Sequence, residues 1–266
     1  MPQARDPLSA LRAALAGLEP GAGPRAADPV PLGAGSLDAA LKGGLKAAAL
    51  HEVLPERGFR DAVATGGFGL GLALRAAGRE RPVVWVRQDF VGVELGRPNG
   101  AGLAAFGADP DRLVLVRAAD QAGGLRAARE ALRCPALGAV LLELWGRSPA
   151  LDLTATRRLA LAAEGSGVAI VLVRLGAEPA PSAATTRWAV ASAASRPVEA
   201  NAPGRPAFAV TLLRHRAGIP GRTWHVEWDC DRVSFVDPAP LPRPVVPVPA
   251  RREAAAEPGG GWRLAG

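Results

Sequence analysis

The chain predicts an α/β fold: a parallel sheet flanked by helices, with an antiparallel extension at the C-terminal end. Three observations predict it. Between residues 48 and 173, short apolar runs alternate with helical segments of about ten residues, as βα units require. After residue 186 the helical pattern stops, and strand-like runs follow one another across short turns. The hydrophobic fraction, 48% of 266 residues, supplies a buried core and excludes a mostly disordered chain.

In chain order, Asp6–Pro7 opens a helix, with Asp as the cap and Pro at the first helical position. Leu8, Leu11, Leu15 and Leu18 recur at spacings of three and four, which makes one apolar stripe, and Glu19–Pro20–Gly21 ends it. Residues 1–20 are thus an expected amphipathic helix, and 21–31, rich in Gly, Pro and Ala, an expected linker. The stripe suits two uses, folding back on its own domain or anchoring on a neighbouring molecule. Gly35–Leu41 reads as a short helix capped by Ser36, closed by a turn at Gly43–Gly44. Ala48–Leu54 is an apolar strand with His51 and Glu52 embedded in it.

Asp61–Ala77 keeps helical character despite Gly66, Gly67, Gly69 and Gly71. Each Gly costs about 1 kcal/mol against Ala, so close packing on a sheet is the expected return. The pattern is not the dinucleotide fingerprint, because its third glycine position falls on Leu72. Strands follow at Pro82–Val86, Arg112–Val116, Ala139–Leu144 and Gly167–Val173, with helices at Gly102–Phe106, Gln121–Leu132 and Asp152–Ala163. Thr186–Ala191, Ala207–Arg214, Thr223–Trp228 and Arg232–Val236 form the antiparallel extension. Residues 238–266 are a Pro-rich tail that cannot bury enough apolar surface to fold alone. Its Trp262–Arg263 is a candidate anchor for a partner pocket.

The net charge is +7, nearly all of the basic residues being Arg. A GC-rich coding sequence and a polyanion-binding surface both give this composition. No run of about 18 apolar residues occurs, so no membrane span is expected. The N-terminus lacks the apolar centre of a signal peptide, and two cysteines, Cys134 and Cys230, suit a reducing cytoplasm. With His51, His215 and His225 they show no metal-ligand spacing, and no G-x-S-x-G elbow is present. Catalytic residues, metal and cofactor are all expected to be absent.

One class of nucleotide-binding α/β proteins follows its first strand with a phosphate loop, G-x-x-x-x-G-K-[ST], whose N–H groups and Lys hold the phosphates. Here that place holds Pro55–Glu56–Arg57–Gly58–Phe59–Arg60–Asp61, while the two lysines, Lys42 and Lys46, lie upstream. Glu52, Pro55, Gly58, Arg60 and Asp61 therefore mark a degenerate nucleotide-loop region whose carboxylates repel a triphosphate. A weak ATPase in which Arg57 or Arg60 replaces the Lys stays open. Candidate DNA or partner contacts are Arg157–Arg158, Arg187–Trp188 and Arg214–His215–Arg216, since Arg beside an aromatic ring suits bases and phosphates.

Over roughly residues 31–236 this order resembles the RecA core, and within that superfamily it is similar to the ImuA family, which is related to SulA. The resemblance is carried by Gly35–Leu41, Ala49–Val53, Leu113–Ala118, Leu151–Ala163 with Gly165–Arg174, Pro181–Val190, and Leu212–Gly218 followed by Thr223–Asp229. It implies a RecA-like domain over 32–237 without a phosphate loop, in a cytoplasmic protein of the SOS response. It further implies translesion synthesis with an ImuB-like polymerase relative and RecA, and indirectly with an error-prone DNA polymerase III alpha-type subunit. Direct single-stranded DNA contact and SulA-type inhibition of cell division remain alternatives. In RecA-like enzymes the strand ending at Leu144 would finish in a magnesium-orienting Asp, where this chain offers Glu143. Asp89 falls near the position of the carboxylate that orients the attacking water. The segments after Leu144 and Arg174, which carry DNA in RecA filaments, are short. A binding body rather than a motor is the expectation.

Overall fold

In the strand Ala139–Trp145, Val140, Leu142 and Leu144 face one side and Ala139 and Leu141 the other, and all five are buried. A strand with no wet side belongs inside a sheet that is covered twice. The computed structural model describes residues 7–16, 28–197, 202, 204–216 and 220–238. A two-residue ribbon, β1 (Pro29–Val30) with β2 (Leu45–Lys46), precedes the main sheet. That sheet comprises β3 (Leu50–Pro55), β4 (Val83–Gln88), β5 (Leu113–Ala118), β6 (Ala139–Trp145), β7 (Ala169–Leu175), β8 (Thr186–Ser192), β9 (Ala207–His215), β10 (Thr223–Asp229) and β11 (Ser234–Val236). Its order is β11-β10-β9-β8-β3-β7-β6-β4-β5. The strands run parallel from β5 to β8 and antiparallel from β8 to β11.

Helices α2 (Gly35–Ala40), α3 (Ala62–Ala77), α4 (Asp89–Leu95) and α5 (Gly100–Ala105) cover one face. Helices α1 (Pro7–Ala16), α6 (Gln121–Ala131) and α7 (Leu153–Ser166) cover the other. The glycines of α3 return what helix propensity loses. A Cβ on Gly69 would lie 2.5 Å from a Val173 methyl carbon, and one on Gly71 2.7 Å from the Phe235 ring. Only hydrogen at those positions lets the helix backbone settle onto the sheet.

Several expectations change. The stripe on α1 folds back on its own domain: Leu11 and Leu15 are buried beside α6, and Arg12 donates to Glu130 at 2.8 Å. Leu18, Trp262 and Arg263 lie outside the described residues. Pro29–Val30, expected in the linker, pairs with Leu45–Lys46. Ser36 does not cap α2; its hydroxyl donates to Asp237 at 2.6 Å, 201 residues away in sequence. Asp38 organises that turn instead, accepting from the N–H groups of Leu32 (2.6 Å) and Gly33 (2.8 Å). The short helix α4 was not expected, because Gly92 and the following Gly96 weaken its pattern. No helix among the described residues is long and apolar enough to cross a membrane.

Candidate functional site

Four charged side chains interrupt the apolar strands: Glu52 in β3, Arg87 in β4, Glu143 in β6 and Arg174 in β7. Each lies within three residues of its strand's C-terminal end, the edge where open α/β sheets hold ligands. None is more than 9% exposed. Burying a charge without a partner costs several kcal/mol, roughly, so the strands must sort these groups into pairs. The pleat does so by face.

On the α7 face, Glu52 is fully satisfied. One carboxylate oxygen accepts from Arg174 at 3.0 Å; the other accepts from Ser182 at 2.6 Å and Arg187 at 2.7 Å. Arg187 also reaches the carbonyl of Ala180 and the hydroxyl of Ser182. Glu52 thus belongs to a structural knot rather than to the loop region where sequence placed it. Arg187 is turned inward with it. Trp188 is wholly buried on the α3 side and donates to Thr186 at 2.9 Å, which closes it to any base or partner surface.

On the α3 face, Glu143 Oε2 accepts from Arg87 Nε at 2.6 Å and from Trp85 Nε1 at 3.2 Å. Arg87 is tied further to the Gly96 carbonyl at 2.6 Å. Among the described residues Glu143 Oε1 accepts no hydrogen bond. It faces Gly66 of α3, where an added Cβ would come within 2.9 Å. Burial pushes the Glu143 carboxyl above its ordinary value, against the pull of Arg87. Above it lies a cleft of ≈ 580 Å³ between the start of α3, the α4–α5 segment and Pro206–Phe208. Leu70, Leu103, Phe106 and Phe208 wall it, and Arg60 and Arg97 stand at its rim.

The β3–α3 junction occupies the place of a phosphate loop. Pro55 ends β3, Gly58 turns with φ +62°, and a 3-10 turn over Gly58–Asp61 leads into α3. Asp61 is buried and accepts from the Arg57 backbone N–H at 3.0 Å and its guanidinium at 2.8 and 2.7 Å. It also accepts from the Ser192 N–H at 3.1 Å and hydroxyl at 3.3 Å. Chiefly because of the Arg57 hydrogen bond, its pKa falls to about 2. The junction thus holds an anion, but one supplied by the chain. Arg60 points to solvent, and Asp89 is paired with Arg117 at 2.7 Å on the surface. Around the same edge, Phe59 and Phe90 pack edge-on against Trp145, at 5.9 and 6.0 Å, and both phenyl rings are exposed.

The remaining candidates scatter. Arg157 and Arg158 are exposed on α7, and Arg158 joins Arg126 and Arg129 of α6 along a shallow groove of ≈ 210 Å³. Arg214 and Arg216 donate to the carbonyls of Ser182 and Ala183, at 2.7 and 3.2 Å, and His215 between them is half-buried. The described residues contain no group of three His, Cys, Asp or Glu that could hold a metal ion. Sequence reasoning missed Arg87, Arg174, Ser182 and Ser192 as parts of these sites, and it offered Arg57 as a phosphate ligand where the structure makes it the partner of Asp61. The signal available was the isolated Arg near the end of two apolar strands, VVWVRQ and AIVLVRL.

No protein-family model matches the chain. A crystal structure of the RadB recombinase is similar in fold, with a TM-score of 0.53 and 15% identity over 78% of this chain and 99% of that one. The fold is RecA-like. Two Caulobacter vibrioides proteins, from strains NA1000 / CB15N and ATCC 19089 / CIP 103742 / CB 15 and both called Protein ImuA, are 35% identical over 218 residues. The match spans 75% of this chain and 84% of each relative, so the chain belongs to the ImuA family.

Proposed function

We propose that this chain is a non-catalytic RecA-like accessory protein in the mutagenic branch of the DNA-damage response. In this reading it links an ImuB-like polymerase relative and RecA to an error-prone polymerase during translesion synthesis. Family membership supports the setting, and the β3–α3 junction supports the absence of turnover. There the donors that would surround a phosphate surround Asp61 instead. A phosphate entering would meet a buried carboxylate, and like charges a few ångströms apart repel by about 1–4 kcal/mol. Binding free energy would then come from partner contacts, which raise the local concentration of the polymerase at a lesion.

Radiolabelled ATP with magnesium, titrated into the full chain, tests this. No saturation up to millimolar nucleotide is expected, both for the wild type and for Lys42→Ala. Saturable binding in the micromolar range would replace the proposal with a degenerate ATPase.

A further inference from the structure

The cleft over Glu143 has the size and make-up of a ligand site: about 300–1,000 Å³, mostly apolar, with few polar groups that converge. Its floor carries an acceptor open to the cleft: Glu143 is 2% exposed, and among the described residues its Oε1 accepts no hydrogen bond and is not sealed from solvent. An incoming apolar body without a donor would desolvate that oxygen at a cost, whereas one with a donor would replace the lost water. Arg87 already neutralises the carboxylate, and Arg60 and Arg97, exposed and without an ion pair among the described residues, make the rim positive. A cation would meet that rim unfavourably. The fitting head is a neutral N–H or O–H on an apolar body, with acidic groups outside.

A nucleobase is one such body, but the cleft offers it no free ring to stack on. Phe106 is stacked on Trp228 at 5.1 Å, Phe208 is 3% exposed and edge-on to Phe68, and Arg87 lies over Trp85. A peptide side chain needs no such platform. We infer that the cleft between α3, α5 and Pro206–Phe208 is a docking site for a partner peptide. It would take a Trp or Tyr flanked by acidic residues, the ring in the cleft, its N–H or O–H on Glu143 Oε1, and the flanks on Arg60 and Arg97. This deepens the adaptor reading and rests on it only for the source of the peptide.

The test uses the full chain and a labelled probe, Ac-Glu-Asp-Trp-Asp-Glu-NH2, followed by fluorescence anisotropy. Replacing Trp by Phe removes the donor and should weaken binding about tenfold. Replacing the acidic flanks by Lys should weaken it by a similar factor, and added salt should shrink that difference. Glu143→Gln is the obvious variant but strands Arg87, so Gly67→Leu is the second. A Cβ at Gly67 meets only the Phe208 ring at 3.5 Å, ordinary contact, so the helix tolerates a side chain that fills the cleft. Binding should be lost in Gly67→Leu with unfolding midpoint unchanged. Equal affinity of the Trp and Phe probes, unchanged binding by a folded Gly67→Leu, or no binding at millimolar probe would overturn the inference. Displacement of the probe by an oligonucleotide would reassign the cleft to a base. The ATP titration reads the β3–α3 junction and the probe reads the cleft, so either reading can fail alone.

Discussion

The two faces of one sheet handle buried charge differently. On the α7 face Glu52 gathers two arginines and a hydroxyl, and both of its oxygens are engaged. On the α3 face Glu143 has one arginine and an indole on a single oxygen, and the other oxygen opens to a cleft. The residues are alike in type, in strand position and in burial. What differs is the layer above them. Residues 180–187 wrap over Glu52 and complete its shell, whereas glycines 66 and 67 of α3 leave space over Glu143. Both oxygens of Glu52 are engaged although Arg174 Nε beside it has no partner among the described residues, whereas Glu143 keeps one oxygen open to a cavity that a ligand would share.

The largest effect expected from this contrast is on stability. Glu52→Leu leaves Arg174 and Arg187 buried without a counter-charge, and removing one partner of a buried pair costs about 3–5 kcal/mol. Glu143→Leu orphans Arg87 alone and should lie at the lower end of that range. Urea unfolding of both variants measures the order, and a Glu143→Leu loss equal to or above that of Glu52→Leu would break the comparison.

A smaller effect separates buried polarity from buried charge. His51, on the α3 side, donates from Nε2 to the Lys46 carbonyl at 2.8 Å and accepts at Nδ1 from Thr186, also at 2.8 Å. Thr186 in turn accepts from Trp188, so every donor in the chain has one direction. Burial is the main cause that lowers the His51 pKa from 6.5 to about 4. Between those values the unfolded chain binds a proton here and the folded chain does not. Stability should therefore fall as pH drops from about 6.5 to about 4, by up to about 3 kcal/mol. The difference between wild type and His51→Gln in unfolding free energy against pH isolates this. A flat difference curve across that window would mean that burial does not hold the ring neutral.

The smallest effect is the control outside both faces. Arg117 and Asp89 form a pair of comparable length, 2.7 Å, with Arg117 59% and Asp89 39% exposed. Arg117→Ala should cost no more than about 1 kcal/mol, and less in high salt. Calorimetry that showed a loss near that of Glu52→Leu would mean that length, not burial, governs these pairs.

The α/β alternation was legible because apolar runs of strand length separated by helical stripes fit few other architectures. The strands from 48 to 173 appear within a residue or two of their expected places, and the return on the α3 glycines is found at Gly69 and Gly71. The missing Lys after β3 was also legible, since one position in a fixed loop carries that chemistry. Trp188 was misplaced as a surface residue because neighbours in sequence, Arg187 and Trp188, point to opposite faces of a strand. Ser36 was misplaced because its partner, Asp237, is distant in sequence.

The chain by itself determined its periodicities, its lone charges within apolar strands and the loss of the phosphate-loop Lys, all of which are local. Only the tertiary structure decided that Glu52 is enclosed, that Asp61 fills the junction after β3, and that Glu143 keeps a free oxygen over a cleft. Those outcomes depend on strand order and on which helix covers which face, and residues 56–135 apart in sequence meet there. A one-dimensional pattern says that a charge is buried; the neighbour that answers it is fixed only when the sheet closes.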